Sequence, residues 1–148
     1  MPPLPQPDRF AQAAGRHLCD SLILAAQHRH DNAVYLAGYV VECSLKAILA
    51  HHLSAAVAGS YKHDLTGLQG RALQLLRVLV PHVHLRLPSS RTQGTGLDVG
   101  HPQRRYWTSG LWSHDEVHAA VDCAREIYRE TVLSMVLDGD LSYQELNI

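Results

Sequence analysis

Phenylalanine occurs once in this chain, tryptophan twice, and lysine only at positions 46 and 62. Alternating β-branched runs are scarce too, while alanine, leucine and valine are plentiful. That profile argues against a sheet protein and for an all-α one. Neither sign of charge is in excess: the formal net charge is −1. There is therefore no overall basic field for nucleic acid, and only a local patch could serve that role. The cysteines Cys19, Cys43 and Cys123 lie far apart, each inside a helical pattern. Three thiols without a short paired spacing exclude a disulfide framework; reduced, buried thiols in a cytoplasmic protein are expected.

Other absences narrow the function classes. No glycine-rich loop joins a strand to a helix, so no phosphate-binding loop is read from Gly94-Thr95-Gly96. The first residues, Met-Pro-Pro-Leu-Pro-Gln-Pro-Asp, lack a basic start and an apolar stretch, so they do not read as a secretory signal. Eleven histidines raise the question of a metal. Yet His28-x-His30, His51-His52 and His82-x-His84 lack helical four-residue spacing with a nearby carboxylate, and no cysteine joins them at ligand spacing. They read as scattered surface histidines. No metal and no cofactor is expected.

What the sequence does contain is one unusually apolar segment, 32–50, with two charges inside it. A helix that is hydrophobic nearly all round belongs at the centre of a bundle. Glu42 and Lys46 near its middle oppose a membrane span. Tyr35, Tyr39, Glu42 and Lys46 follow steps of four, three and four, which places them on one face. Glu42 precedes Lys46 by four residues, the favourable order for a helical ion pair. Gly38 costs helix propensity of about 1 kcal/mol relative to alanine, so close approach of another helix is expected there.

The length suits one domain with a single core. Residues 1–7 read as a proline-rich arm, 8–139 as a helical bundle and 140–148 as a tail. Helix 1 is expected from an Asp8 cap to Gln27, and helix 2 from an Asp31 cap to His52. Asp64 is expected to cap helix 3, whose stripe of Leu65, Leu68, Ala72, Leu75, Leu79 and Val83 ends near Pro81. From Pro88 to Trp112 the periodicity disappears; a loop this long in a small domain is often functional. Ser113 and Glu116 form a capping box for helix 4, which Gly139 ends. The fold class is all-α, an up-and-down bundle of four to five helices with helix 2 the most buried.

The run Tyr35 to Ile48, Tyr-Leu-Ala-Gly-Tyr-Val-Val-Glu-Cys-Ser-Leu-Lys-Ala-Ile, resembles the signature helix of the HEPN domains. Lys62-His63-Asp64-Leu65 at the third helix, Arg105-Tyr106 before the last long helix, and Ala13-Ala14-x-x-His17-Leu18 in the first fit the same family in order. The resemblance implies a small prokaryotic helical bundle, commonly a homodimer, in toxin–antitoxin or defence systems. A minimal nucleotidyltransferase is a frequent partner. Many such proteins are metal-independent endoribonucleases carrying an Arg followed four to six residues later by a His.

That spacing is met here only by Arg77 and His82, which lack the usual polar neighbour and straddle Pro81. His114 falls too far after Arg104 and Arg105. Arg77, His82 and His114 are thus the weak catalytic candidates. In such chemistry a His takes the 2′-hydroxyl proton and an Arg stabilises charge on the phosphate. Arg104, Arg105, Tyr106 and Trp107 form a second candidate set, able to hold phosphates and stack on bases of RNA or a nucleotide. The bland alternative has the tryptophans plugging the bundle end and Arg105 pairing with Glu42. Glu42, Lys46, His63 and Asp64 read as a structural polar core. The leading expectation is a dimeric, cytoplasmic RNA- or partner-binding module. A ribonuclease toxin and a purely structural assembly subunit are the alternatives.

Overall fold

The computed structural model describes residues 9–72, 74, 77–78, 92–98 and 100–146. Every regular element among them is helical, with no strand. Helix α1 spans Phe10–Ala26 and α2 spans His30–His52. Short helices α3 (Ala55–Ser60) and α4 (Leu65–Gly67) follow, the latter running into a π-helical turn, Leu68–Ala72. After a 3₁₀ turn at Gln103–Tyr106 come α5 (His114–Tyr128), a π-helical turn (Arg129–Leu133), α6 (Ser134–Leu137) and α7 (Tyr143–Leu146).

Helix α2 is the hub. It packs against α1 and α5, and it also touches α3, the first π turn and the 3₁₀ turn. Every residue from Val40 to Leu49 is buried, Glu42 and Lys46 included. By length and apolarity α2 would be long enough to cross a membrane, but most of it is buried inside the protein. The core against it comes from one stripe on each neighbour: Ala14, Leu18 and Ala25 from α1, and Val117, Ala120, Val121 and Ala124 from α5. Ser21 ties the first pair of helices together by donating to the Ala33 carbonyl at 2.8 Å.

Several helix ends follow the expected chemistry. Ser113 and Glu116 form a reciprocal capping box. Asp64 accepts from the Gly67 amide at 2.9 Å. Gly139, at φ +81°, ends the last long helical stretch, and the amides of Gly139 and Asp140 return to the carbonyls of Val136 and Met135. That pairing is a Schellman closure, in which glycine takes the left-handed position.

Other expectations are corrected. Asp31 does not cap α2: it lies in the first turn, and its carboxylate instead accepts from the distant Gly110 amide at 3.0 and 3.2 Å. Helix α2 ends at His52 as expected, and beyond it Ser54 caps an additional short helix through the Val57 amide. Cys19 is exposed rather than buried, though no disulfide joins the three thiols. The proline-rich arm, the Asp8 cap, Pro81, His82 and the outer part of the third-helix stripe (Leu75, Leu79, Val83) lie outside the described residues.

Candidate functional site

The polar face of α2 organises the site. Glu42, only 5 % exposed in its side chain, receives three donors. Lys46 Nζ lies 2.8 Å from Oε1, and His101 Nε2 lies 2.7 Å from Oε2. His63 Nδ1 sits 3.1 and 3.3 Å from the two oxygens. Lys46 also donates to the Lys62 carbonyl, so one helical ion pair holds the turn that presents His63. Lys62 itself adopts a left-handed φ of +50°. Burial pushes the Glu42 carboxyl up, but the hydrogen bonds from His101, Lys46 and His63 outweigh it and hold it at about 2. A buried carboxylate so fully satisfied is an anchor rather than an acid.

His101 is the residue that reasoning from the sequence missed. Its side chain is 2 % exposed, and burial holds its imidazole below the usual value despite the neighbouring carboxylate. Gly38 makes room for it. A Cβ there would come within 2.6 Å of His101 Nδ1 and 3.3 Å of an Arg104 guanidinium nitrogen. The close approach expected at Gly38 is therefore real in kind and different in source: loop side chains meet the helix there. Any larger residue would lift the loop off α2.

From this anchor the loop climbs. Arg104 is buried, and its guanidinium donates to the carbonyls of Val34 and Leu97, both at 3.3 Å. Burial pulls it down to about 10, which still leaves a cation at neutral pH. Arg104 borders the cleft described below, but the hydrogen bonds of its two terminal nitrogens go to the main chain. Arg105, one residue on, is exposed. It does not pair with Glu42; it engages Tyr35, which raises its pKa, and lies 4.8 Å from the Tyr106 ring centre. Tyr106 is 78 % exposed and Trp107 40 % exposed. The two indoles stack at 6.3 Å. Trp107 is seated on Gly100 and Trp112 on Gly96, where a Cβ would collide with either ring. Packed and displayed surfaces thus coexist in the one loop.

Tyr35 and Tyr39 link the two levels. Their rings meet edge to face at 5.2 Å, and Tyr39 lies edge-on to His101 at 4.7 Å. Burial and the Tyr35 hydroxyl push the Tyr39 phenol up to about 12. Arg105, Tyr35 and Trp107 border a cleft of about 370 Å³ whose other wall carries His28, Arg29 and His30.

The remaining candidates separate. Arg77 is helical and exposed, while His82 is outside the described residues, so that pair has no geometry to report. His114, the first residue of α5, meets His28 and His30, with ring centres 6.0 Å from each. The described residues bring metal-ligating side chains together in three places: Glu42 with His63 and His101, His28 with His30 and His114, and His51 with His52 and Asp140. Local spacing could not reveal these groups, since each is completed by a residue far along the chain. No family model, curated protein or solved structure matches this chain.

Proposed function

We propose that the chain is a HEPN-like helical module that binds single-stranded RNA or a nucleotide at the cleft beneath Arg105. In this reading it works as a dimer beside a partner, a nucleotidyltransferase or another component of a prokaryotic defence or toxin–antitoxin system. The observation that carries the binding reading is the split between consecutive arginines. Arg104 is buried on two carbonyls, whereas Arg105 and Trp107 are exposed at the cleft and Tyr106 is exposed against Arg105. A guanidinium next to open aromatic faces suits phosphate contact with base stacking, which tolerates many sequences. The motif resemblance around α2 supplies the family reading, and the all-helical architecture agrees with it.

Fluorescence anisotropy of a labelled single-stranded RNA oligonucleotide tests the proposal. Binding is expected to weaken with salt. Arg105→Ala should reduce affinity and lower the salt slope by about 1, as for loss of one phosphate contact. Tyr106→Ala should reduce affinity with the slope unchanged. Absence of binding at low salt would overturn the reading in favour of a structural subunit. Cleavage of the oligonucleotide in the presence of chelator, lost in His114→Ala, would replace it with the ribonuclease alternative.

A further inference from the structure

We infer that His28, His30 and His114 form a binding site for a divalent transition-metal cation of zinc type, at the end where α1, α2 and α5 meet. Two of the ligands, His28 and His30, also wall the cleft assigned to RNA, but the inference needs only the geometry of the three side chains. The ring centres form a nearly equilateral triangle, 5.9 Å between His28 and His30 and 6.0 Å from each to His114. One nitrogen from each ring lies within 4.8 Å of the other two. Three imidazoles around one tetrahedral cation at about 2.0–2.1 Å need nitrogens about 3.4 Å apart. Small side-chain rotations close that difference. His118, whose ring centre is 4.2 Å from that of His114, stands one helical turn away as a further imidazole.

Two features of the triad point to a ligand rather than to chance proximity. The Nε2 atom of His30 is enclosed and has no hydrogen-bond partner among the described residues, an arrangement that costs free energy unless something fills it. His28 occupies the left-handed position of a Schellman closure at the end of α1, at φ +59°. The amides of His28 and Arg29 return to the carbonyls of Ala25 and Leu24 there. Glycine or asparagine usually holds that position; the closure here sets the His28 ring beside those of His30 and His114.

Charge and ligand softness agree. Imidazole suits zinc, nickel, copper and cobalt far better than magnesium or calcium. The positive ends of α2 and α5 oppose a cation, but Asp31, Asp115 and Glu116 sit in those first turns and offset them. Arg29, between two of the ligands, is exposed. The Glu42, His63 and His101 group is the poorer choice, because the Lys46 ammonium already sits 2.8 Å from its carboxylate.

The test uses the full chain without a polyhistidine tag, titrated with cobalt(II) and followed by visible absorption. Zinc affinity is then measured by competition with a chromophoric chelator. One equivalent is expected, with affinity lowered about tenfold or more by His30→Gln or His114→Gln, since even outer-shell losses cost that much. His28→Gly removes a ligand while relieving the left-handed strain, so it should fold at least as well and still bind more weakly. His51→Gln should bind as the parent does. In the unmodified chain, cobalt should broaden the ring resonances of His28, His30 and His114 first. No stoichiometric binding, unchanged affinity in His28→Gly, or first broadening at His51 would each overturn the assignment.

Discussion

The buried cluster around Glu42 and the histidine triangle around His30 are both rich in imidazole, yet they differ in what is left over. Around Glu42 every carboxylate oxygen has a donor within 3.3 Å, and the partners come from three stretches of chain. The one enclosed ring nitrogen there without a partner among the described residues, His101 Nδ1, is packed against Gly38 rather than turned to open space. Around His30 three rings converge with no carboxylate among them, and one enclosed nitrogen has no partner among the described residues. A satisfied polar cluster fixes geometry, because any ligand must first break hydrogen bonds already made. A cluster with spare valence is where a ligand can gain.

Removing the satisfied carboxylate should have the largest effect. Glu42→Ala strands a buried Lys46, and loss of one member of a buried pair costs about 3–5 kcal/mol. Urea unfolding followed by far-UV circular dichroism should show that loss; a change under 1 kcal/mol would mean that the cluster does not hold the fold.

Acid attacks the same cluster by titration. Glu42 is held at about 2, below its usual 4.5. Its stabilisation is therefore complete above the unfolded pKa and is lost as pH falls from there through about 2, in total roughly 3 kcal/mol. His101 is also lowered, by burial, so its contribution is already being lost as pH falls below 6.5. Stability measured between pH 7 and pH 3 should decline throughout and most steeply at the acid end. A flat profile would contradict the assigned hydrogen bonds.

Gly38→Ala probes the contact between α2 and the loop without touching a charge. Its methyl would press on His101, and overpacking of this kind costs about 1–3 kcal/mol. Greater stability instead, from the better helix propensity of alanine, would mean that the loop is not seated as described. Smallest of all, Arg105→Ala should leave stability within about 0.5 kcal/mol, as surface changes usually do. Its effect belongs to RNA affinity. A large loss of stability would place Arg105 with Arg104 among the structural residues.

Much of the framework was legible along the chain because it is local. The four-three-four spacing puts Tyr35, Tyr39, Glu42 and Lys46 on one face, and the ion pair forms at the expected step. Ser113 and Glu116 write their capping box within four residues. The site was harder to read because its decisive partners are remote. His101 joins Glu42 across 59 residues, from a stretch with no periodicity. His114 likewise reaches His28 and His30 only because α5 begins beside the turn between α1 and α2. Arg104 and Arg105 are identical as letters; only the 3₁₀ turn decides that one points inward and the other to solvent.

The two tryptophans carry a practical consequence. They are the only ones in the chain, and both belong to the same loop, stacked on each other and seated on Gly100 and Gly96. All indole emission therefore originates there, close to Arg105 and the cleft, while α1, α2 and α5 contribute none. The molecule contains its own optical reporter, selective for the loop and silent to the rest of the bundle, so docking at the cleft can be followed without attaching a dye.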